Sequence, residues 1–200
     1  AFRPWSAGRG SGAANYGSRT AGCGSAAGRM PERTGKENED NKHIMKNYRI
    51  FVEKEPRFRV DAESLRRELN DNLNLDLRTL RLLNVYDLFG FTEELLEKSR
   101  YAVFGETATD CVTDGCDLAG AKYLAVECLP GQFDQRAASA VDCVRLIDPE
   151  ADVRIRSARL YIFDDAVTGE QMERIRRYCV NAVESREKDM SVLGEAEQAD

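Results

Sequence analysis

Few residues of this 200-residue chain have types and spacings that could do chemistry. Asp164 with Asp165, and Glu184 with Glu187, could share general acid–base work. Such work needs a convergent pocket and a shifted pKa. The first pair falls at the end of a predicted strand before a turn, where solvated acids are common, so neither pair is read as catalytic. Arg154, Arg156 and Arg159 mostly alternate along a predicted strand, as on a solvated sheet face or a domain contact. The six cysteines include no C-x-x-C pair. Cys111 and Cys116 lie close together without a histidine nearby. Cys128, Cys143 and Cys179 fall inside predicted strands or helices, where free cysteine behaves as a small apolar residue. This pattern reads as a reduced, cytoplasmic protein rather than a disulfide or zinc framework. Gly22-Cys23-Gly24-Ser25 faintly resembles a nucleophile elbow, but no strand precedes it. His43, the only histidine, lies in a polar run. No phosphate loop, dinucleotide fingerprint or zinc-protease helix occurs. No catalytic residue and no metal ligand is assigned.

One stretch does have the form of a site. Leu129 to Arg136 reads LPGQFDQR, after the β-prone run Lys122 to Cys128 and before the helical run Ala137 to Ile147. Pro130 cannot extend a ladder, and Gly131 turns freely. Asp134 is placed as the helix N-cap. Free N–H groups at such a helix start can receive an anion, which makes Gly131, Gln132, Phe133, Asp134 and Arg136 the candidate substrate- or partner-facing residues. The other reading is a plain strand–helix connection in which Phe133 plugs the core.

The elements around that stretch repeat. Val52, Glu53 and Pro56 match Val126, Glu127 and Pro130. After one extra residue, Gln132, the match resumes with Phe58/Phe133, Ala62/Ala137, Ser64/Ser139, Arg81/Arg156, Tyr86/Tyr161 and Thr92/Thr168. The period is about 75 residues, as in an internal duplication; chance similarity between two alternating units is the rival. Each copy reads β-α-β-α with a possible further strand. In the first, Tyr48 to Lys54 and Leu80 to Leu88 are strands. Asp61 opens a helix striped by Leu65, Leu69 and Leu73. Thr92 caps a helix with Leu95, Leu96, Ser99, Ala102 and Val103 inward, and Ala108 to Thr113 closes the unit. In the second, Val153 to Phe163 is a strand. Ala137, Val141, Val144 and Ile147 face inward on one helix, and Met172, Ile175 and Cys179 on a helix from Thr168 to Ala182. The expected class is α+β: two tandem repeats related by pseudo-twofold symmetry in a two-layer sandwich of sheet and helices.

Composition divides the chain further. Residues 1–44 carry seven Lys/Arg against four Asp/Glu, +3, so the net −6 leaves −9 on the rest. The first 30 residues are rich in Gly, Ala, Ser and Arg and cannot bury enough surface to fold. They read as a disordered tail, either an Arg-rich targeting segment or, preferred here, upstream translation ahead of Met45. Residues 45–118 form the first repeat, 119–183 the second, and 184–200 the start of a linker. The acidic body argues against nucleic acid. No apolar run reaches the roughly 18 residues of a membrane span.

Five segments carry a resemblance: RIFVEKEPRFRVDAESL (49–65), LRLLNVYDLFG (80–90), VECLPGQFDQRAASAVDC (126–143), RSARLYIFDD (156–165) and NAVESREKD (181–189). Together they resemble the N-terminal region of the large single-chain, clostridial-type phosphoribosylformylglycinamidine synthases. LPGQFDQR with VESRE is the most specific part, and residues 1–44 have no counterpart. The resemblance implies a ligase of purine biosynthesis in which ATP activates the amide oxygen of formylglycinamide ribonucleotide. Ammonia from glutamine then attacks, giving the amidine, ADP and phosphate. It implies that ATP and Mg act in the full enzyme and are not bound by this stretch. It implies partners in a downstream synthetase core and a glutamine amidotransferase domain, with Glu184 and Arg186 at the linker contact. By the same resemblance this region is a doubled form of a small stand-alone subunit that packs on the core. A free-standing α+β dimerisation or small-anion-binding module is the alternative. Limited proteolysis should trim the chain to near Met45 and leave a stable body; protection of the Gly8 to Gly35 stretch would contradict the tail reading.

Overall fold

Runs of β-prone residues, buried on both faces at their centres, build one antiparallel sheet. The computed structural model describes residues 45–193. The strands are β1 (Lys46–Lys54), β2 (Leu80–Phe91), β3 (Asp110–Thr113), β4 (Lys122–Cys128), β5 (Arg154–Phe163) and β6 (Ser185–Glu187). The helices are α1 (Val60–Leu73), α2 (Glu93–Ser99), α3 (Gln135–Ile147) and α4 (Gly169–Cys179). The order across the sheet is β3-β1-β2-β5-β4-β6, and every neighbouring pair is antiparallel. The described residues form an α+β architecture of one sheet and four helices, consistent with two layers.

Register decides where the helices lie. Leu80, Leu82, Tyr86 and Leu88 share one side of β2, because side chains alternate across a strand. Leu80 and Leu82 pack in the cluster of Leu69 and Ile175 from α1 and α4. Tyr86 and Leu88 pack in the cluster of Leu95, Leu96, Ala140 and Val144 from α2 and α3. All four helices therefore cover the same face. The opposite face carries Phe51, Leu83, Val85, Ala125, Ala158, Leu160 and Ile162. Cys116, Leu118, Ala121 and Met190 cover it from loops.

Local chemistry sets the helix ends. The Thr92 hydroxyl accepts from Leu95 N, and Asp134 caps α3 through Ala137 N. Thr168 and Gln171 form a reciprocal capping box at α4. The start of α1 differs from the expectation: Arg59 occupies its N-cap without a side-chain bond, and Asp61 lies in the first turn. After Ser99 the helix widens into a π turn, Arg100–Phe104. The extra residue rotates the following side chains, so Phe104 is buried and Ala102, expected inward, is exposed. Phe104 then packs on Tyr86 and Phe91. Gly90 has a φ of +75°, and a Cβ there would lie 2.5 Å from the Asp152 carbonyl, so the approach of that loop requires glycine. Ser185–Glu187, placed in a linker by the sequence reading, adds to the sheet beside β4. Three charged or polar residues give no periodic signal; the edge of β4 and the ion pairs of Arg186 and Lys188 with Glu127 order them. Residues 1–44, including the proposed tail, Cys23 and His43, lie outside the described residues, as do 194–200.

Leu69 on α1 and Val144 on α3 are both 0 % exposed. Leu69→Ala should cost about 2–5 kcal/mol in denaturant unfolding, and Val144→Ala somewhat less. An unchanged midpoint for either would contradict its place in the core.

Candidate functional site

The LPGQFDQR stretch begins as a type II turn. Gln132 N donates to Leu129 O at 3.0 Å, with Pro130 and Gly131 at the corners. Gly131 has a φ of +82°, and a Cβ there would meet nothing within 4 Å. Conformation rather than space therefore selects glycine. Asp134 follows and has both oxygens engaged. One accepts from Ala137 N at 3.0 Å and Ser157 Oγ at 2.9 Å, and the other from Ser157 N at 2.9 Å. Asp134 thus ties the start of α3 to β5, and the helix start already holds its own carboxylate.

The turn meets a second one, distant in sequence. Leu129 N donates to Glu184 O at 3.0 Å, and the Gln132 amide reaches Val183 O at 3.5 Å. Residues Asn181 to Ser185 close that second turn through Glu184 N and Ser185 N, both donating to Asn181 O. The side chains of Phe133 and Val183 are 78 % and 73 % exposed. The core-plug reading of Phe133 is thereby corrected: the type II turn and the Asp134 cap direct it to solvent. Beside these turns lies a small cleft of about 170 Å³, lined among others by Cys128, Gly131, Gln132, Asp134, Arg156 and Arg186. Of the sequence candidates, Gly131, Gln132, Phe133, Asp134, Glu184 and Arg186 come together here. Arg136 does not; it lines a separate cleft on the helix side with Arg159, Asn84 and Tyr101.

A buried charge network holds this surface from beneath. Arg186 Nε donates to Glu127 at 2.8 Å. Lys188 Nζ lies 2.7 Å from Glu127 and 2.9 Å from Asp87. Arg49 forks onto both oxygens of Asp87 and donates to the carbonyls of Met190 and Val192. Asp87 is 1 % exposed and Lys188 8 %. Burial pushes the Asp87 carboxyl up, but hydrogen bonds from Arg49 and Lys188 outweigh it and hold the group below its ordinary range. Sequence reasoning missed this pair; its one signal was a lone acid inside the apolar run LLNVYDLFGF.

The thiols and acids singled out in the sequence have particular settings. Burial, then Asp134, Glu127 and Glu184, push the Cys128 thiol up, away from the thiolate that nucleophilic attack needs. Burial pushes Cys179 up to about 11. The Asp164 carboxylate accepts from the backbone of Arg78 and Ala166, a turn-closing role. Glu187 pairs with Arg176. Among the described residues no cluster of three His, Cys, Asp or Glu could hold a metal ion, and no helix is long and apolar enough to cross a membrane. No family model matches the sequence, and no curated protein matches it either.

The buried carboxylate generates a pH prediction. Its depressed folded pKa contributes stability that is present above the unfolded value of 3.8 and is lost as pH falls through the lower folded value. Asp87→Asn should cost about 3–5 kcal/mol at neutral pH, since it strands buried cations. It should also flatten the loss of stability below about pH 4. Urea unfolding across that range checks both, and parallel curves for the two proteins would contradict the assignment.

Proposed function

We propose that this chain is the N-terminal, non-catalytic part of a phosphoribosylformylglycinamidine synthase. In this reading it is a scaffold that packs on the synthetase core and helps couple it to the glutaminase, in the cytoplasm. One observation carries the proposal. The two segments most specific to the resemblance, LPGQFDQR and VESRE, meet through the Leu129–Glu184 and Gln132–Val183 contacts. Each presents an exposed apolar side chain, Phe133 on one and Val183 on the other. An apolar pair held on two ordered turns, rimmed by Gln132 and Arg186, has the makeup of a docking patch. ATP, Mg and glutamine chemistry belong, in this reading, to the downstream domains.

The duplicated small-subunit form is part of the same proposal. Exchanging β1, β2 and β3 for β4, β5 and β6 reverses the strand order β3-β1-β2-β5-β4-β6 onto itself. β2 and β5 pair Asn84 with Arg159, the residues that the repeat period also makes equivalent. Thr92 and Thr168 cap corresponding helices. These agreements support a pseudo-twofold axis between β2 and β5, with the docking patch on the second copy alone. Only that copy carries Gly131 and the additional Gln132.

The test uses the complete enzyme. The chain alone, given ATP, glutamine and formylglycinamide ribonucleotide, should release no amidine. Phe133→Asp and Gln132→Ala should leave this body's melting unchanged, since exposed substitutions usually cost under about 0.5 kcal/mol. In the complete enzyme Phe133→Asp should lower glutamine-dependent turnover by about tenfold, as loss of an interface anchor does. Wild-type turnover with both variants would overturn the proposal.

A further inference from the structure

The strand–helix connection of the first half opens into a larger cleft, and its chemistry is different. Its volume is about 600 Å³, within the range of small-molecule sites. Arg57, Arg59, Arg67 and Arg81 line it, together with Ser64 and Thr79. Neutralisation is incomplete. Glu53 is shared by Arg59 at 3.0 Å and Arg81 at 2.6 Å. Glu63, the acid in the lining, is held by Arg66 at 3.0 Å. Arg57 lies over the Phe58 ring, 4.9 Å from its centroid, and has no carboxylate partner among the described residues. Arg67 has no carboxylate within bonding distance among the described residues. Arginines left uncompensated around one concavity raise the local concentration of anions, and the planar guanidinium fits phosphate oxygens in pairs.

The second half supplies a contrast. There Asp134 places a carboxylate at the corresponding position and satisfies it internally. Arg59 stands at that position in the first half and turns to Glu53 and the Lys54 carbonyl. One connection is closed by its own anion, and the other gathers cations around open space. A monocarboxylate is too weakly charged to balance the arginine excess, whereas a phosphoryl dianion suits it. The cleft also has room for an organic remainder.

We propose that the cleft between the Pro56–Val60 connection and the β2–β5 strand ends binds the phosphoryl group of a small phosphorylated molecule. The site goes beyond the docking role and stands whether or not that reading holds. The probes are inorganic phosphate, inorganic pyrophosphate and uridine monophosphate, each titrated into the full chain by calorimetry at low salt. Binding should have a dissociation constant below about 1 mM for at least one probe. Tighter binding of the nucleotide than of phosphate assigns the site to a phosphate ester, and the reverse order assigns it to the free anion. Arg57→Ala with Arg67→Ala removes two cations and should weaken that binding by about tenfold or more. Arg145→Ala with Arg177→Ala removes the same charge from exposed positions on α3 and α4, and should leave binding unchanged. All four arginines are exposed, and melting curves verify that both variants fold. Absence of binding by every probe, or equal loss in the two variants, would overturn the proposal.

Discussion

Lys188 between Asp87 and Glu127 is the contact on which the rest depends. Among the described residues, the helix-free face of the sheet has no second layer of secondary structure. It must still bury Val85, Leu160 and Ala125. The strand of charges across it joins β1 through Arg49, β2 through Asp87, β4 through Glu127 and the chain after β6 through Lys188. Removing two charges from water is costly, and the cost is offset only when every partner is present. Here each carboxylate has two cations, and Lys188 N also donates to Ala125 O at 2.9 Å. The network therefore fixes one register for the C-terminal segment. A purely apolar edge would permit slippage.

That register positions the candidate site. β6 is three residues long and cannot hold itself on the sheet edge. Lys188 and Arg186 secure it to Glu127, and the preceding turn is then in reach of Leu129. The exposed Phe133–Val183 surface is thus an indirect product of charges buried on the other side of β4. The two strand–helix connections diverge for a related reason. An aspartate at the N-cap draws its connection closed, whereas arginine at the same place cannot accept an N–H and leaves a cleft.

Much of the fold was legible in the sequence. The β-prone runs Lys122–Cys128 and Leu80–Leu88 mark strands, and Thr92, Asp134 and Thr168 mark helix starts by a chemistry that acts within three residues. The features missed depend on longer range. Nothing local joins Asp87 to Lys188, or Arg136 to Arg159. The π turn after Ser99 follows from where Phe104 fits against Tyr86, which the helical period of EELLEKSRYAVF does not encode. Within the candidate site, the turn residues and the cap were readable. The outward path of Phe133 was not, because a lone aromatic beside a helix start suits either a core or an interface.

Amide hydrogen exchange offers the most direct test of the docking claim. It would be followed in this chain alone and in the longer enzyme proposed to contain it. Exchange should slow in the longer enzyme at Gln132 to Asp134 and Ala182 to Glu184. The Pro56–Arg59 connection of the first half should exchange alike in both. Equal exchange at the two second-half turns, with or without the remaining domains, would contradict a docking surface there.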